Sequence, residues 1–166
     1  MSNPNVTVGA PAPALALEAD DGTNIDLADL RGQTVVVYFY PKDDTPGCTK
    51  EACDFRDRMD TLTSRGVVVL GVSPDSVARH QKFIAKYDLN FRLLADPDHE
   101  AAEAWGVWRL KKNYGREYMG IVRSTFLVDG EGIVRNVWDK VRVRRKVKGE
   151  EVTHVSDVEA AIDALA

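Results

Sequence analysis

Only two cysteines and three histidines occur in the 166 residues, and that scarcity removes several chemistries at once. A structural zinc site takes four ligands, usually as two pairs. Cys48 and Cys53 make a single pair, and His80, His99 and His154 are scattered along the chain. No Cys-x-x-Cys occurs, which weakens a thiol–disulfide oxidoreductase reading. No apolar stretch approaches a membrane span. The start, Met1-Ser-Asn-Pro-Asn-Val6, has neither a basic region nor an apolar run, so no signal peptide is expected. Positive charge is not in excess either: a net charge of -4 gives no overall attraction to nucleic acid or to anionic membranes. Repeats and long linkers are missing, so residues 1–166 are expected to form a single domain, large enough to bury a core without staples. Two cysteines without an export signal point to the cytoplasm, where a disulfide would be transient and catalytic.

What the chain does contain is concentrated between Thr34 and Cys53. Val35 to Tyr40 is an unbroken run of β-branched and aromatic residues and reads as a buried strand. Pro41 ends it, because proline cannot donate to a sheet ladder. A polar loop follows, then a helix start: Thr45 suits the N-cap, Pro46 the first helical position, and Gly47 allows close approach to the backbone. Cys48 therefore falls in the first turn, where free N–H groups and the helix dipole favour an anion. An ordinary cysteine is only about 3% thiolate at pH 7, so this position would raise the reactive fraction many-fold. Asp43 and Asp44 would oppose that effect unless they face solvent, while Lys42 and Lys50 would assist. Cys48 is placed like a nucleophile.

The helix, expected over about 46–63, carries Cys48, Ala52, Phe55, Met59 and Leu62 on one apolar stripe. Cys53 falls off that stripe, toward Lys50, Asp54 and Asp57. Helix geometry puts residues five apart at about 8.6 Å between Cα atoms, beyond the roughly 7 Å that a disulfide tolerates. Either the two sulfurs never pair, or the first turn unwinds to let them.

Elsewhere, Asp21-Gly22 between Leu15/Leu17 and Ile25/Leu27 signals an N-terminal hairpin. Val67–Ser73 reads as a second buried strand, with a helix opening at Ser73-Pro74, using Val77, Ile84 and Tyr87 and ending near Asp88. Phe91–Ala95 is a short strand, and Asp96-Pro97 starts a helix through about Trp105. Residues 111–120, polar and containing glycine, read as a loop. Arg123–Val128 and Ile133–Trp138 bracket Asp129-Gly-Glu-Gly132 as a hairpin. Ser156-Asp-Val-Glu159 reads as a capping box for a last helix with Val158, Ala161, Ile162 and Leu165 inward. Strand, helix and strand in succession imply a right-handed parallel crossover, and the order fits an α/β sandwich around a central sheet.

Pro41-x-x-x-Thr45-x-x-Cys48 resembles the active-site signature of peroxiredoxins. The longer string Tyr38-Phe-Tyr-Pro-Lys-x-x-Thr-Pro-Gly-Cys-Thr-x-Glu-Ala-Cys53 is similar to the peroxiredoxin Q / bacterioferritin comigratory protein branch, and the likeness runs from about Gly9 to Trp138. The resemblance implies a thioredoxin-like fold with an N-terminal β-hairpin, and a thiol peroxidase acting on hydrogen peroxide and organic hydroperoxides. It implies that Cys48 is peroxidatic, becoming a sulfenic acid, and that Cys53 resolves it as an intramolecular disulfide. By the same resemblance, Thr45 hydrogen-bonds the peroxide, Pro41 shields the thiolate, and the Gly47 and Cys48 amides hold the peroxide oxygens. Arg123, just before Ser-Thr-Phe-Leu-Val-Asp, matches the active-site arginine, whose charge would favour the Cys48 thiolate. Glu51 resembles the glutamate that orients this arginine; its plainer alternative is an exposed helix-start carboxylate. No metal, haem or flavin is implied. Thioredoxin or a similar dithiol is the implied reductant, and a monomer the expected state.

Residues 140–153 depart from that pattern. Arg142, Arg144, Lys146 and Lys148 alternate with Val141, Val143 and Val147, and read as an edge strand with a solvated face. Aromatic residues are not interleaved as a nucleic-acid surface would have them. Extra residues lie between Val143 and His154 relative to typical members. A non-enzymatic redox sensor using the same two thiols is the competing class; it would be oxidised once per chain, whereas an enzyme turns over.

Overall fold

The computed structural model describes residues 3–165. At its centre lies β3 (Thr34–Phe39), whose side chains are buried on both faces from Val35 onward. This is why that run shows no polar alternation. Val35, Val37 and Phe39 join one core with Leu70, Val72, Leu94, Trp105 and Phe126. Val36 and Tyr38 join another, with Phe55, Leu62, Phe83, Leu127 and Val158.

Around β3 the sheet has seven strands in the order β2-β1-β5-β4-β3-β8-β9. β4 (Val67–Ser73) runs parallel to β3, and β5 (Arg92–Ala95) parallel to β4. β8 (Ser124–Val128) and β9 (Val134–Trp138) are antiparallel additions on the other side. The hairpin of β1 (Ala16–Ala19) and β2 (Asn24–Asp26) joins beyond β5. α1 (Pro46–Ser64), α2 (Val77–Tyr87) and α4 (His154–Leu165) pack on one face, and α3 (Glu100–Ala104) on the other. The result is a mixed sheet flanked by helices with an N-terminal hairpin. Among the described residues, no helix is long and apolar enough to cross a membrane. Phe39 pairs with Ser124, so the loop after β3 and the residue before β8 leave the sheet at the same end.

Several expectations need correction. Residues 111–120 are not a loop: β6 (Trp108–Asn113) and β7 (Arg116–Ile121) form a two-stranded hairpin of their own. Its turn, Tyr114-Gly115, has positive φ at both positions (51° and 76°), the conformation that suits a two-residue hairpin. The basic segment is likewise a hairpin, not an edge of the main sheet. β10 (Arg144–Val147) pairs with β11 (Glu150–Thr153) through Lys148-Gly149, again with positive φ at both. The extra residues before His154 thus build this appendage, and Val147 stays exposed on it.

Helix boundaries also shift. α2 begins at Val77, because the Ser76 hydroxyl, rather than Ser73, accepts from the Arg79 amide at 3.2 Å. Its buried residues are His80 and Phe83. α3 is only five residues long. Asp96 does cap it, accepting from the amides of Ala101 and Ala102 at 3.1 and 2.9 Å, but a turn with left-handed His99 intervenes. α4 starts at His154, and the Ser156 amide donates to Thr153 Oγ1 at 3.1 Å. The capping box at Ser156 is therefore not formed, and Glu159 is bound by Arg58.

Candidate active site

Phe39 leaves the sheet into Tyr40-Pro41 and the loop that opens α1. Thr45 occupies the N-cap position with extended backbone angles, and Pro46 stands at the first helical position. The Thr45 hydroxyl does not cap the helix; it donates to the Lys42 carbonyl at 2.9 Å. Its oxygen lone pairs are thereby left for another donor. Pro41 and Gly47 are half-buried, and Cys48 is buried with 2% of its surface exposed.

From the residue just before the adjacent strand, β8, comes the cation. Arg123 Nη2 lies 3.3 Å from Cys48 Sγ, and Nη1 donates to Glu51 Oε1 at 2.7 Å. A Cβ on residue 47 would sit 3.2 Å from Arg123 Nη2, so glycine here makes room for the guanidinium. The Arg123 carbonyl is itself held by the Val141 amide at 2.8 Å. Residues 75 positions apart in the chain are thus brought together.

Glu51 is not the exposed carboxylate that was one alternative: it is fully buried. Three residues after Cys48, it lies on the same helix face. Burial pushes its carboxyl up to about 7, against the opposing pull of Arg123. Its Oε2 has no hydrogen-bond partner, nor has the buried hydroxyl of Tyr38. Burial, and then the charges of Glu51 and Cys48, push the Tyr38 phenol up.

The acidic pair, which would oppose a thiolate unless it faced solvent, is split: Asp44 is exposed and binds Lys86 and Tyr87 at 2.8 and 2.7 Å, whereas Asp43 is buried at 3% exposure. Its carboxylate accepts from the Tyr40 hydroxyl at 2.5 Å and faces His80 Nδ1 at 2.6 Å. His80 Nε2 lies 2.9 Å from the Leu94 carbonyl, an acceptor only, so that nitrogen carries a hydrogen. The Asp43 amide donates to Asp75 at 2.7 Å, and Asp75 also accepts from Ser73. Both acids are thus engaged on the α2 side of the loop, and the loop is pinned to α2 and β5.

Lys111 is a further arrival that the loop reading concealed. Its amine donates to the Ile121 carbonyl at 2.9 Å. Burial and the neighbouring Arg123 push its ammonium down, while Cys48 acts in the opposite direction. Cys53, by contrast, is half-buried on the outer side of α1. Burial pushes its thiol up, and the charges of Arg56, Asp57, Asp54 and Arg144 modify that rise. Both cysteines are free.

With this geometry in view, comparison with known proteins is direct. A model of the AhpC/TSA family matches residues 8–137. Peroxiredoxin Bcp of Bacillus subtilis is 52% identical over 142 residues, 86% of this chain and 90% of that protein. A structure of Xanthomonas campestris bacterioferritin comigratory protein, solved in work on its alkyl peroxide reduction activity, superposes with a TM-score of 0.80 at 41% identity, covering 91% of each chain. Xylella fastidiosa PrxQ superposes with a TM-score of 0.84 at 32% identity, covering 96% of this chain and 97% of that one. The mixed sheet and its helices are the thioredoxin-like fold of those proteins.

Proposed function

Because the chain belongs to the AhpC/TSA family, in its peroxiredoxin Q and Bcp branch, we propose that it is a thiol peroxidase reducing hydrogen peroxide and organic hydroperoxides. The observation that carries this reading is the Arg123 guanidinium shared between Cys48 Sγ and Glu51 Oε1, at 3.3 and 2.7 Å. A fixed cation beside the sulfur stabilises the negative charge that moves onto peroxide oxygen.

In the proposed reaction the Cys48 thiolate attacks the nearer oxygen of ROOH in line. An S–O bond forms, the O–O bond breaks, the hydrogen of the attacked oxygen stays on the sulfenic acid, and the departing RO⁻ takes a proton from solvent and leaves as ROH. Gly47 and Cys48, in the first turn of α1, offer amides to the peroxide oxygens. Thr45, its hydrogen committed to Lys42, accepts a hydrogen bond from the peroxide O–H. Pro41 screens the sulfur from water. Glu51 orients Arg123.

The sulfenic acid on Cys48 is then resolved by Cys53 as an intramolecular disulfide, which requires α1 to unwind, and thioredoxin returns both thiols. The same reading takes the chain as a single-domain monomer of the cytoplasm, where such a disulfide is transient.

A peroxidase assay coupled to thioredoxin and its reductase tests this, beside intact mass after one equivalent of hydrogen peroxide. Many turnovers per chain and a loss of two hydrogens mapped to Cys48 and Cys53 are expected. A Cys53→Ser chain should be oxidised once, fail to recycle with thioredoxin and over-oxidise at Cys48. Full thioredoxin-linked turnover by that variant would remove the resolving role. A single oxidation per wild-type chain would favour a sensor.

A further inference from the structure

α1 is tethered unevenly along its length. As far as Cys53, its side-chain hydrogen bonds to other elements, among the described residues, are the two made by Arg123. From Asp54 onward the ties recur at nearly every turn. Asp54 takes two bonds from Arg144 of β10, at 2.7 and 3.2 Å. Arg56 donates to the Tyr87 carbonyl at 2.7 Å. Arg58 makes two bonds to Glu159 of α4, at 2.8 and 2.9 Å, and Arg65 pairs with Asp163.

The tie nearest Cys53 comes from the hairpin that the extra residues build. That hairpin is itself anchored to α4, where Arg145 binds Asp157 at 2.5 and 3.2 Å. The pair is two-pronged, and of its two side chains Asp54 is the sheltered one, at 10% exposure against 35% for Arg144.

We propose that the β10–β11 hairpin positions the resolving step: Arg144, through Asp54, holds α1 at the residue after Cys53, so that unwinding ends there and the Cys53 thiol stays within reach of oxidised Cys48. The inference rests on the reading of Cys53 as the resolving cysteine. In that step the Cys53 sulfur attacks Cys48 Sγ. An S–S bond forms, the Cys48 S–O bond breaks, and the hydroxyl departs with the Cys53 proton as water. A fixed post beside Cys53 raises its effective concentration at the other sulfur.

The pair also acts on charge. The charged groups acting on Cys53 are Arg56, Asp57 and Asp54 of its own helix and Arg144 from the hairpin. Arg144 lies 3.6 Å from Glu151 as well. Removing Arg144 leaves the Asp54 carboxylate uncompensated beside the thiol and disfavours the Cys53 thiolate. Removing the Asp54 charge leaves the cation and favours it.

Arg144→Ala and Asp54→Asn chains test both effects after native-state folding is checked by circular dichroism. In the oxidised wild type, amide hydrogen exchange should accelerate over 46–53 and stop there. In each variant the accelerated region should run on toward Arg58. The pH at which disulfide closure reaches half its maximal rate should rise by about half a unit in Arg144→Ala and fall by a similar amount in Asp54→Asn. A purely structural role moves neither midpoint. An exchange boundary unchanged in both variants, or midpoints that move together, would overturn the inference and leave the resolving role standing. A wild-type chain that forms no Cys48–Cys53 disulfide removes that role, and the inference with it.

Discussion

The two flanks of Cys48 each bury a carboxylate, and they treat it in opposite ways. Upstream, both Asp43 oxygens are engaged, by Tyr40 and His80, and His80 is satisfied at its other nitrogen. Downstream, Glu51 has one oxygen on Arg123 and the other without a partner, and burial holds its carboxyl near 7. A buried acid with complete partners makes its surroundings rigid, whereas one with incomplete partners leaves them ready to change. The difference teaches where the site can give way. The loop carrying Pro41 and Thr45 is pinned, and the turn carrying Glu51 is the weaker side. Under the proposed disulfide closure, unwinding is therefore expected of the helix and not of the loop.

The comparison can be tested by breaking each part in turn. The largest effect is expected from Cys48→Ser, the group that both flanks serve. Peroxide consumption should fall on the order of a thousandfold or more, with thermal unfolding little changed, and retained turnover would place the chemistry elsewhere. Next comes Asp43→Ala, which strands His80 in the interior. Urea unfolding should show a loss of about 3 kcal/mol or more; a loss below 1 kcal/mol would mean that the pinned flank is not pinned.

Glu51→Gln should behave in the opposite sense. The folded-state pKa of Glu51, about 7, lies above its ordinary value of 4.5. The protonated acid is thus the form the fold prefers, and its stabilising share is whole below pH 4.5 and lost as pH rises through 7. Glutamine mimics that form. The variant should lack this downward slope, and near pH 8 it should match or exceed the wild type in stability while Arg123 is held less firmly. A wild-type curve that instead rises between pH 4.5 and 7, with the rise absent in the variant, would reverse the assignment. The smallest effect is expected from Lys111→Met, which removes a cation that reaches the site from β6. The second-order rate constant with peroxide should drop about twofold to threefold, read by stopped-flow fluorescence.

Legibility in the sequence followed burial. β3, β4 and β8 could be read because their apolar runs answer to a core, and β9 because Asp129-Gly-Glu-Gly132 marks the turn before it. The placing of Cys48 in the first turn of α1, behind Thr45 and Pro46, could be read from helix-start residues, whereas Arg123 was singled out by resemblance alone and only the fold brings it to the sulfur. β6–β7 escaped, and β10 was read as a strand without its partner β11, because these strands are polar and stand off the main sheet, so that only Tyr114-Gly115 and Lys148-Gly149 mark the hairpins. The signal was present: a residue tolerating positive φ, followed by glycine, between alternating strands. His80 was missed because the α2 stripe was counted on Val77, Ile84 and Tyr87, whereas the buried positions are His80 and Phe83. A histidine on an inward helix face and an aspartate three residues past a buried tyrosine gave no cue in isolation. They acquire meaning only when the crossover places α2 beside the loop.

The pairing of Phe39 with Ser124 has a consequence for how such a chain can change over generations. Cys48 and Arg123 meet because two adjacent strands end together, so the distance between them along the chain is free to vary. Insertions that respect that register lengthen the protein at its periphery without moving sulfur relative to guanidinium. A single-residue slip of β8 against β3 would turn every β8 side chain to the opposite face and part the two groups. Novelty can therefore accumulate as appendages between β5 and β8 or after β9, while the few cross-strand pairs of β3 and β8 tolerate almost none.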